Sequence, residues 1–475
     1  MFIVKNLYIY TMKKITQIIV LLLSVVVVMV VVYRLVNTAP SKELPINKQV
    51  VTIIDNGGCL TCHSTSPKVP FYSTWPIIGK MVVEDTKMAL KQIDLDEVYM
   101  SISSGQPAGE VAMAKIEKST IDGTMPPRNF SMVHWGSSIT SAKKSILLEW
   151  IVSERATNYN LGLSSPEFAN EPVQPIPAAL KTDPDKVALG KALYNDTRLS
   201  SDNTVSCATC HGLNTGGVDN DSFSEGVGGA LGGVNAPTVY NSVFNFVQFW
   251  DGRAATLALQ AAGPPLNPVE MANKSFDDIV IRLLKDRSFT ASFLKVYPHG
   301  YSEETITDAI AEYEKTLLTP DSRFDLYLKG DDSAITPAEK EGYRTFKKYE
   351  CATCHTGVIL GGQSYELIGL VNDYFADRGT ELTVEDNGRF KETSIERDRH
   401  RFKVPGLRNV ALTWPYFHDA TQSTLEDAVR AMGHYQLGIE FTDSEVASMV
   451  SFMNTLTGKF EGETLTNTNQ KPELK

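Results

Sequence analysis

From Ile15 to Tyr33 almost every residue is apolar, and Lys13 and Lys14 stand directly in front. A helix rises about 1.5 Å per residue, so a run of roughly 19 residues reaches across the hydrocarbon layer of a bilayer. A cleaved signal peptide needs a small-x-small site straight after its apolar core. Here the chain continues Tyr33-Arg34-Leu35-Val36-Asn37, which favours an uncleaved anchor. Lys5, Lys13 and Lys14 hold the N-terminus in the cytoplasm, so the remainder is exported.

Beyond the anchor the pattern is helical. Val446, Met449, Val450, Met453 and Leu456 keep helical spacing, Thr442 and Glu445 form a capping box, and Gly458 stops the run. Ile146, Leu147, Trp150 and Ile151 repeat that plan earlier in the chain. Thr336, Pro337 and Glu339 take the N-cap, N1 and N3 positions of a further helix. Few stretches alternate with period two, so the fold is expected to be mainly α. Asn37 to Lys48 is polar and tethers the anchor. Ser164 to Pro177 is Pro-rich and reads as a linker.

The cysteines change the picture. All six fall into three Cys-x-x-Cys-His units: Cys59, Cys62 and His63; Cys207, Cys210 and His211; Cys351, Cys354 and His355. This is the spacing of c-type haem attachment, in which two thiols add to the vinyl groups and the adjacent imidazole lies under the iron. One copy could be half of a zinc site; three copies with no cysteine left over argue for three covalently bound haem c groups and no disulfides. The chain is therefore expected to hold three cytochrome c-like haem domains behind one N-terminal transmembrane helix. The expected boundaries are 1–40 for the stub and anchor, 45–160, 165–335 and 336–460 for the haem domains, and 461–475 for a polar tail. The net charge of −11 argues against a nucleic-acid partner.

The sixth ligands decide what each haem does, since two strong ligands leave only electron transfer and methionine raises the potential. In the first domain Met125, in the turn Gly123-Thr124-Met125-Pro126-Pro127, is preferred over His134. In the third, Met432 precedes the closing helix, with His434 as its rival. The second has no histidine between His211 and His299, and its loops are rich in glycine. Met271 lies about as far beyond His211 as Met125 does beyond His63, so a closed second haem and an open one both stand at this point.

A resemblance narrows this. Phe249-Trp250-Asp251-Gly252-Arg253, Gln260, Gly263-Pro264 and Asn267 to Met271 resemble the bacterial di-haem cytochrome c peroxidase family. So do Lys403 to Asn409 and Thr413 to His418. With the extra N-terminal haem unit and the anchor, the chain is similar to the tri-haem quinol peroxidases anchored in the inner membrane of enteric bacteria. The resemblance implies that His211 holds the peroxidatic haem, with Gln260 and Glu270 on its open face and Met271 merely the neighbour of the catalytic acid. It assigns His355 and Met432 to the high-potential haem, Trp250 to the path between the two haems, and Asn235, Thr413 and Pro415 to one Ca²⁺. It implies hydrogen peroxide as substrate, membrane quinol as donor (a small soluble cytochrome c is the alternative), haem domains in the periplasm and, as in soluble relatives, a homodimer. Glu270 has the chemistry for its role, because splitting an O–O bond needs a group that takes a proton from one oxygen and returns it to the other. Two rival readings remain: a tri-haem electron carrier without catalysis, and an enzyme oxidising tyrosine or tryptophan in a partner protein. Met432 counts against the second, whose members carry tyrosine there.

One departure yields a prediction. Many relatives place a histidine in the loop after the peroxidatic motif, capping the iron until the other haem is reduced. Here the stretch reads Glu225-Gly226-Val227-Gly228-Gly229, with Val227 at that place. The second haem is expected to be open or water-bound without prior reduction, so the EPR spectrum of the oxidised protein should contain a high-spin component. A purely low-spin spectrum would contradict this.

Overall fold

The computed structural model describes residues 2–67 and 70–469. The chain divides into two compact units, residues 1–108 with 115–154, and residues 109–114 with 155–475. Both are mainly helical.

In the first unit the helix Phe2–Val36 carries the apolar run, and an 18-residue window within Tyr10–Val36 has a mean hydropathy of 3.1 with its side chains outside any core. The amide of Asn37, just past the helix end, donates to the carbonyls of Tyr33 and Trp135. The buried Lys143 ammonium donates to the Gly136 and Ser138 carbonyls at 3.2 and 3.1 Å. The helix Ile46–Gly57 leads into Cys59 and buries Val50, Ile53 and Ile54; the closing helix Ser141–Glu154 buries Leu147, Trp150 and Ile151. The helical spacing read from the sequence thus marks the face that enters the core.

In the second unit an opening and a closing helix cross twice, each time at a glycine. Pro184–Tyr194 crosses Glu303–Glu314, and Pro337–Lys348 crosses Asp443–Asn454. A Cβ on Gly190 would stand 1.9 Å from the Ala309 carbonyl oxygen, and one on Gly342 2.0 Å from that of Ser448. The opposing aromatic rings, Tyr313 and Phe452, are both buried. The capping boxes of Thr336 with Glu339 and of Thr442 with Glu445 both form. Strand structure among the described residues is confined to two short antiparallel pairs, Tyr365–Leu367 with Arg401–Lys403 and Lys459–Phe460 with Glu463–Thr464.

Three segments differ from the sequence reading. Residues 164–177 are not a free linker: Val173 and Ile176 are fully buried, and the Pro172 carbonyl accepts from the Gly357 amide and the Thr356 hydroxyl at 2.7 and 2.8 Å. The core around the third attachment motif also takes in Phe324 and Leu328, ahead of the expected boundary at 336. Arg408 ties these pieces together. It is buried, pairs with Asp325 at 2.7 Å and donates to the carbonyls of Gln174 and Val358. The polar tail, likewise, is docked through residue 469. Leu465 joins the core of Tyr194, Tyr240 and Tyr313, and the Asn467 amide donates to the Thr215 and Leu412 carbonyls. Composition marked both stretches as polar or Pro-rich, but their few apolar side chains and their backbone groups find distant partners.

Substituting Gly190 or Gly342 with alanine should force the crossing helices apart, because the obstructing atom is backbone. The expected loss is about 1–3 kcal/mol, read as a lower unfolding midpoint in a denaturant titration of the holoprotein.

Candidate haem and peroxide site

The three Cys-x-x-Cys-His segments fold alike. Each makes a single tight turn in which the histidine N–H donates to the carbonyl of the first cysteine, at 3.0 Å for His63, His211 and His355. That bond swings the imidazole beneath the two thiols. None of the six cysteines is in a disulfide. Burial pushes the Cys59 and Cys210 thiols up to about 11 and Cys351 to about 12, and lifts Cys207 further.

The histidines suit an iron ligand. Burial lowers the pKa of all three, keeping the rings neutral. His63 Nδ1 meets the Ile93 carbonyl at 3.1 Å and His355 Nδ1 that of Leu360 at 3.0 Å, which leaves Nε2 as the free nitrogen. His211 Nδ1 is buried without a hydrogen bond among the described residues. Lys403 is buried with no carboxylate beside it, and burial lowers its ammonium to about 8; two residues on, the Pro405 carbonyl faces the His355 ring. An unpaired buried cation next to an attachment turn matches the propionates of a haem, which bring the missing negative charge. The residues present fit covalent haem.

Glu270 lies near the second turn: it is half-buried, and its carboxylate raises the pKa of both Cys207 and Cys210. Burial lifts Glu270 above the usual carboxylate range, opposed by a 2.5 Å hydrogen bond from the Asn267 amide and by Arg253. The loop of Val227 lies against it: the Val227 amide donates to the Glu270 carbonyl at 2.8 Å, and a Cβ on Gly226 would stand 2.2 Å from the Val269 carbonyl oxygen. Only glycine permits that approach. Gln260 sits half-buried on the short helix Leu257–Ala261, and its side chain makes no hydrogen bond among the described residues. Met271 is core, in one cluster with Leu199, Val205 and Ile279. Arg253 lies over the Phe249 ring at 3.4 Å and pairs with Asp251 at 2.8 Å.

Met432 ends the helix Leu425–Met432, whose Leu425, Ala428 and Val429 share a core with Cys351 and Ala352 of the third turn. His434 is engaged by Glu440 and Asp377. In the first unit Met125 is exposed on its turn, whereas His134 has both ring nitrogens occupied, by Tyr72 and by the Phe130 carbonyl.

Trp250 donates its indole N–H to the Asn235 carbonyl at 2.9 Å, and the Asn235 amide donates to the His418 carbonyl at 2.8 Å. The Asn235 side chain donates to the Asp221 carbonyl, while the Asn220 amide bonds the Leu412 and Trp414 carbonyls. These bonds fasten the loops of Asn235, Thr413 and Pro415 to one another. The Asn235 side-chain oxygen and the Thr413 and Pro415 carbonyls accept no hydrogen bond among the described residues, and oxygen donors suit Ca²⁺.

A buried network that the sequence did not reveal supports Trp250. His418 stacks on Phe402 with centroids 4.2 Å apart and bonds Asp386 at 2.9 Å; Arg378 bridges Asp386 and Asp419 at 2.7 and 2.8 Å. His418 was visible within its motif, but its partners lie tens of residues away. Asp386, His418 and Asp419 are close enough to hold a metal, yet Arg378 already supplies the cation.

The fold and the attachment turns define a c-type haem protein of peroxidase-like architecture. A solved structure, a MauG-like protein associated with microbial copper homeostasis, superposes with a TM-score of 0.53 at 28% identity over 60% of this chain and 93% of that one. The family described as di-haem cytochrome c peroxidase matches residues 184–333, and a haem-binding domain family matches residues 19–153. The chain is 49% identical over 414 residues to cytochrome c peroxidase Ccp of Escherichia coli, covering 87% of this chain and 88% of that protein. It is 46% identical over 294 residues to cytochrome c551 peroxidase of Nitrosomonas europaea, covering 61% of this chain and 85% of that protein. The chain belongs to the di-haem cytochrome c peroxidase family.

The Arg378 network makes a pH prediction. Hydrogen bonds and charge from Arg378 and His418 hold Asp386 well below its ordinary 3.8 despite burial. A depressed carboxyl stabilises the fold above its unfolded pKa, and that stability is lost as pH falls through the native value. Asp386→Asn should therefore cost about 3 kcal/mol at pH 7, and much less only at a pH well below 3.8, close to the depressed native value. Paired denaturant titrations at the two pH values check it.

Proposed function

We propose that this protein reduces hydrogen peroxide to water at the second attachment site, with Glu270 as its acid–base residue. Two electrons and two protons convert H₂O₂ into two waters. Haem held by His211, Cys207 and Cys210 would supply the redox-active iron for peroxide reduction. The carboxylate of Glu270 accepts a proton from one peroxide oxygen and returns it to the other. Asn267 holds that carboxyl in place, and burial keeps its proton affinity high enough for both halves of the transfer. Gln260 orients peroxide without adding charge. The observation that carries the reading is the half-buried Glu270 carboxyl, held by Asn267 and, through the Val227 amide and the core of Met271, set beside Cys207.

The other assignments belong to the same proposal. Three haem c groups sit at Cys59 and Cys62, Cys207 and Cys210, and Cys351 and Cys354, one in each of three haem domains. Met125 with His63, and Met432 with His355, would ligate the first and third irons; the engagement of His134 by Tyr72 and Phe130 supports Met125. The apolar helix is a single-pass inner-membrane anchor that leaves the haem domains in the periplasm. Membrane quinol donates to the first haem, and electrons continue to the third and past Trp250 to the second. One Ca²⁺ joins Asn235, Thr413 and Pro415. A homodimer, as in soluble relatives, completes the proposal.

Glu270→Gln should retain a haem-to-protein ratio of three in a pyridine haemochrome assay while peroxide turnover drops at least about 100-fold. Unchanged turnover would remove the acid–base assignment. Assays with a quinol analogue and with a reduced soluble cytochrome c separate the two donors: turnover only with the cytochrome would refute quinol.

A further inference from the structure

Glu314 is the last residue of the closing helix Glu303–Glu314, 6% exposed, and no part of the peroxide chemistry uses it. Its Oε2 is enclosed without a hydrogen bond, and so is the hydroxyl of its neighbour Tyr313. The groups facing this carboxyl come from several elements. Cys207 faces it from the second attachment turn, and Tyr194 from the opening helix. Tyr313 lies beside it on its own helix, with Tyr240 beyond. Glu461 of the C-terminal hairpin approaches Tyr313 from the surface, where it pairs with Lys191 at 3.8 Å. The short helix Leu257–Ala261, also against the closing helix, has no ionisable residue. Thus the groups acting with Glu314 are thiol, phenol or carboxyl; Lys315, next along the chain, pairs instead with Glu312 at 2.5 Å, and no cation acts on Glu314.

A buried carboxyl with neither a cation nor a hydrogen bond is held in its neutral form, because ionising it in a low-dielectric surround is costly. Burial lifts Glu314 to about 8. The positive charge that would stabilise its anion is the one added to the neighbouring site when the iron is ferric.

We propose that Glu314 is the proton partner of the second haem: it takes up one proton when the iron held at His211 gains an electron, and releases it when the iron is oxidised. The electron comes from the enzyme's own donor and the proton from water, so charge near Cys207 stays constant through the step. This rests on haem being attached at Cys207 and Cys210, and is independent of whether Glu270 performs the acid–base step. Its consequence is a second-haem potential that falls with rising pH, since the Glu314 anion favours ferric iron. The fall ends at the pH where the carboxyl beside ferrous haem itself loses its proton.

The test is a potentiometric titration of the full-length detergent-solubilised holoprotein, without peroxide, over roughly pH 5.5 to 9. The wild type should show a second-haem midpoint that declines with pH and levels off near the upper end. Glu314→Gln should keep three haems and hold a higher, pH-independent midpoint. A pH-independent wild-type midpoint, or an unchanged slope in Glu314→Gln, overturns the proposal. Should the variant fail to take up haem, redox-difference infrared spectra of the wild type decide. A protonated-carboxyl band that appears on reduction supports the proposal, and its absence sinks it.

Discussion

The closest approach of two helices governs much of this molecule. Where Gly190 meets the Ala309 carbonyl, and Gly342 that of Ser448, no side chain could intervene. Such crossings bring backbones within reach and let large aromatic rings, Tyr313 and Phe452, close the gap from one side. The attachment turns follow shortly after each opening helix, so the crossing fixes where the thiols and the imidazole stand. It also fixes the end of the closing helix and, with it, Glu314. The first unit manages with Val50 on its opening helix and a buried Trp150 on its closing one.

Much of this was legible in the sequence, because the signals are local. Cysteine spacing specifies the turn, and the His N–H to Cys carbonyl bond needs only five consecutive residues. Capping boxes at Thr336 and Thr442 are likewise four-residue devices. The residues around Glu270 were found through a motif and not through periodicity, since they lie on irregular loops where hydrophobic spacing carries no information. What escaped was non-local. Nothing near Pro172 announces that its carbonyl will serve Thr356 and Gly357, and nothing near Asp386 announces His418 and Arg378. The reach of the third core back to Phe324 was hidden for the same reason: a short helix binds to whichever core its apolar face meets.

Charge is distributed unusually for a protein interior. Asp325 is paired with Arg408, and Asp386 and Asp419 share Arg378. Lys403 and Glu314 are buried without such a partner, whereas the half-buried Glu270 has Asn267 and the charge of Arg253. Leaving a buried ionisable group unpaired is costly, so the position of Lys403 and Glu314 beside attachment turns fits a charged cofactor there.

The docked segment around Leu465 and Asn467 makes the second attachment domain a product of stretches far apart in the chain. Asn467 and Leu465 close over loops that begin at Thr215, some 250 residues earlier. The cysteines at 207 and 210 therefore belong to a domain with one wall built from distant sequence, so local opening of that segment would uncover the loops beside the second motif without disturbing the motif's own turn.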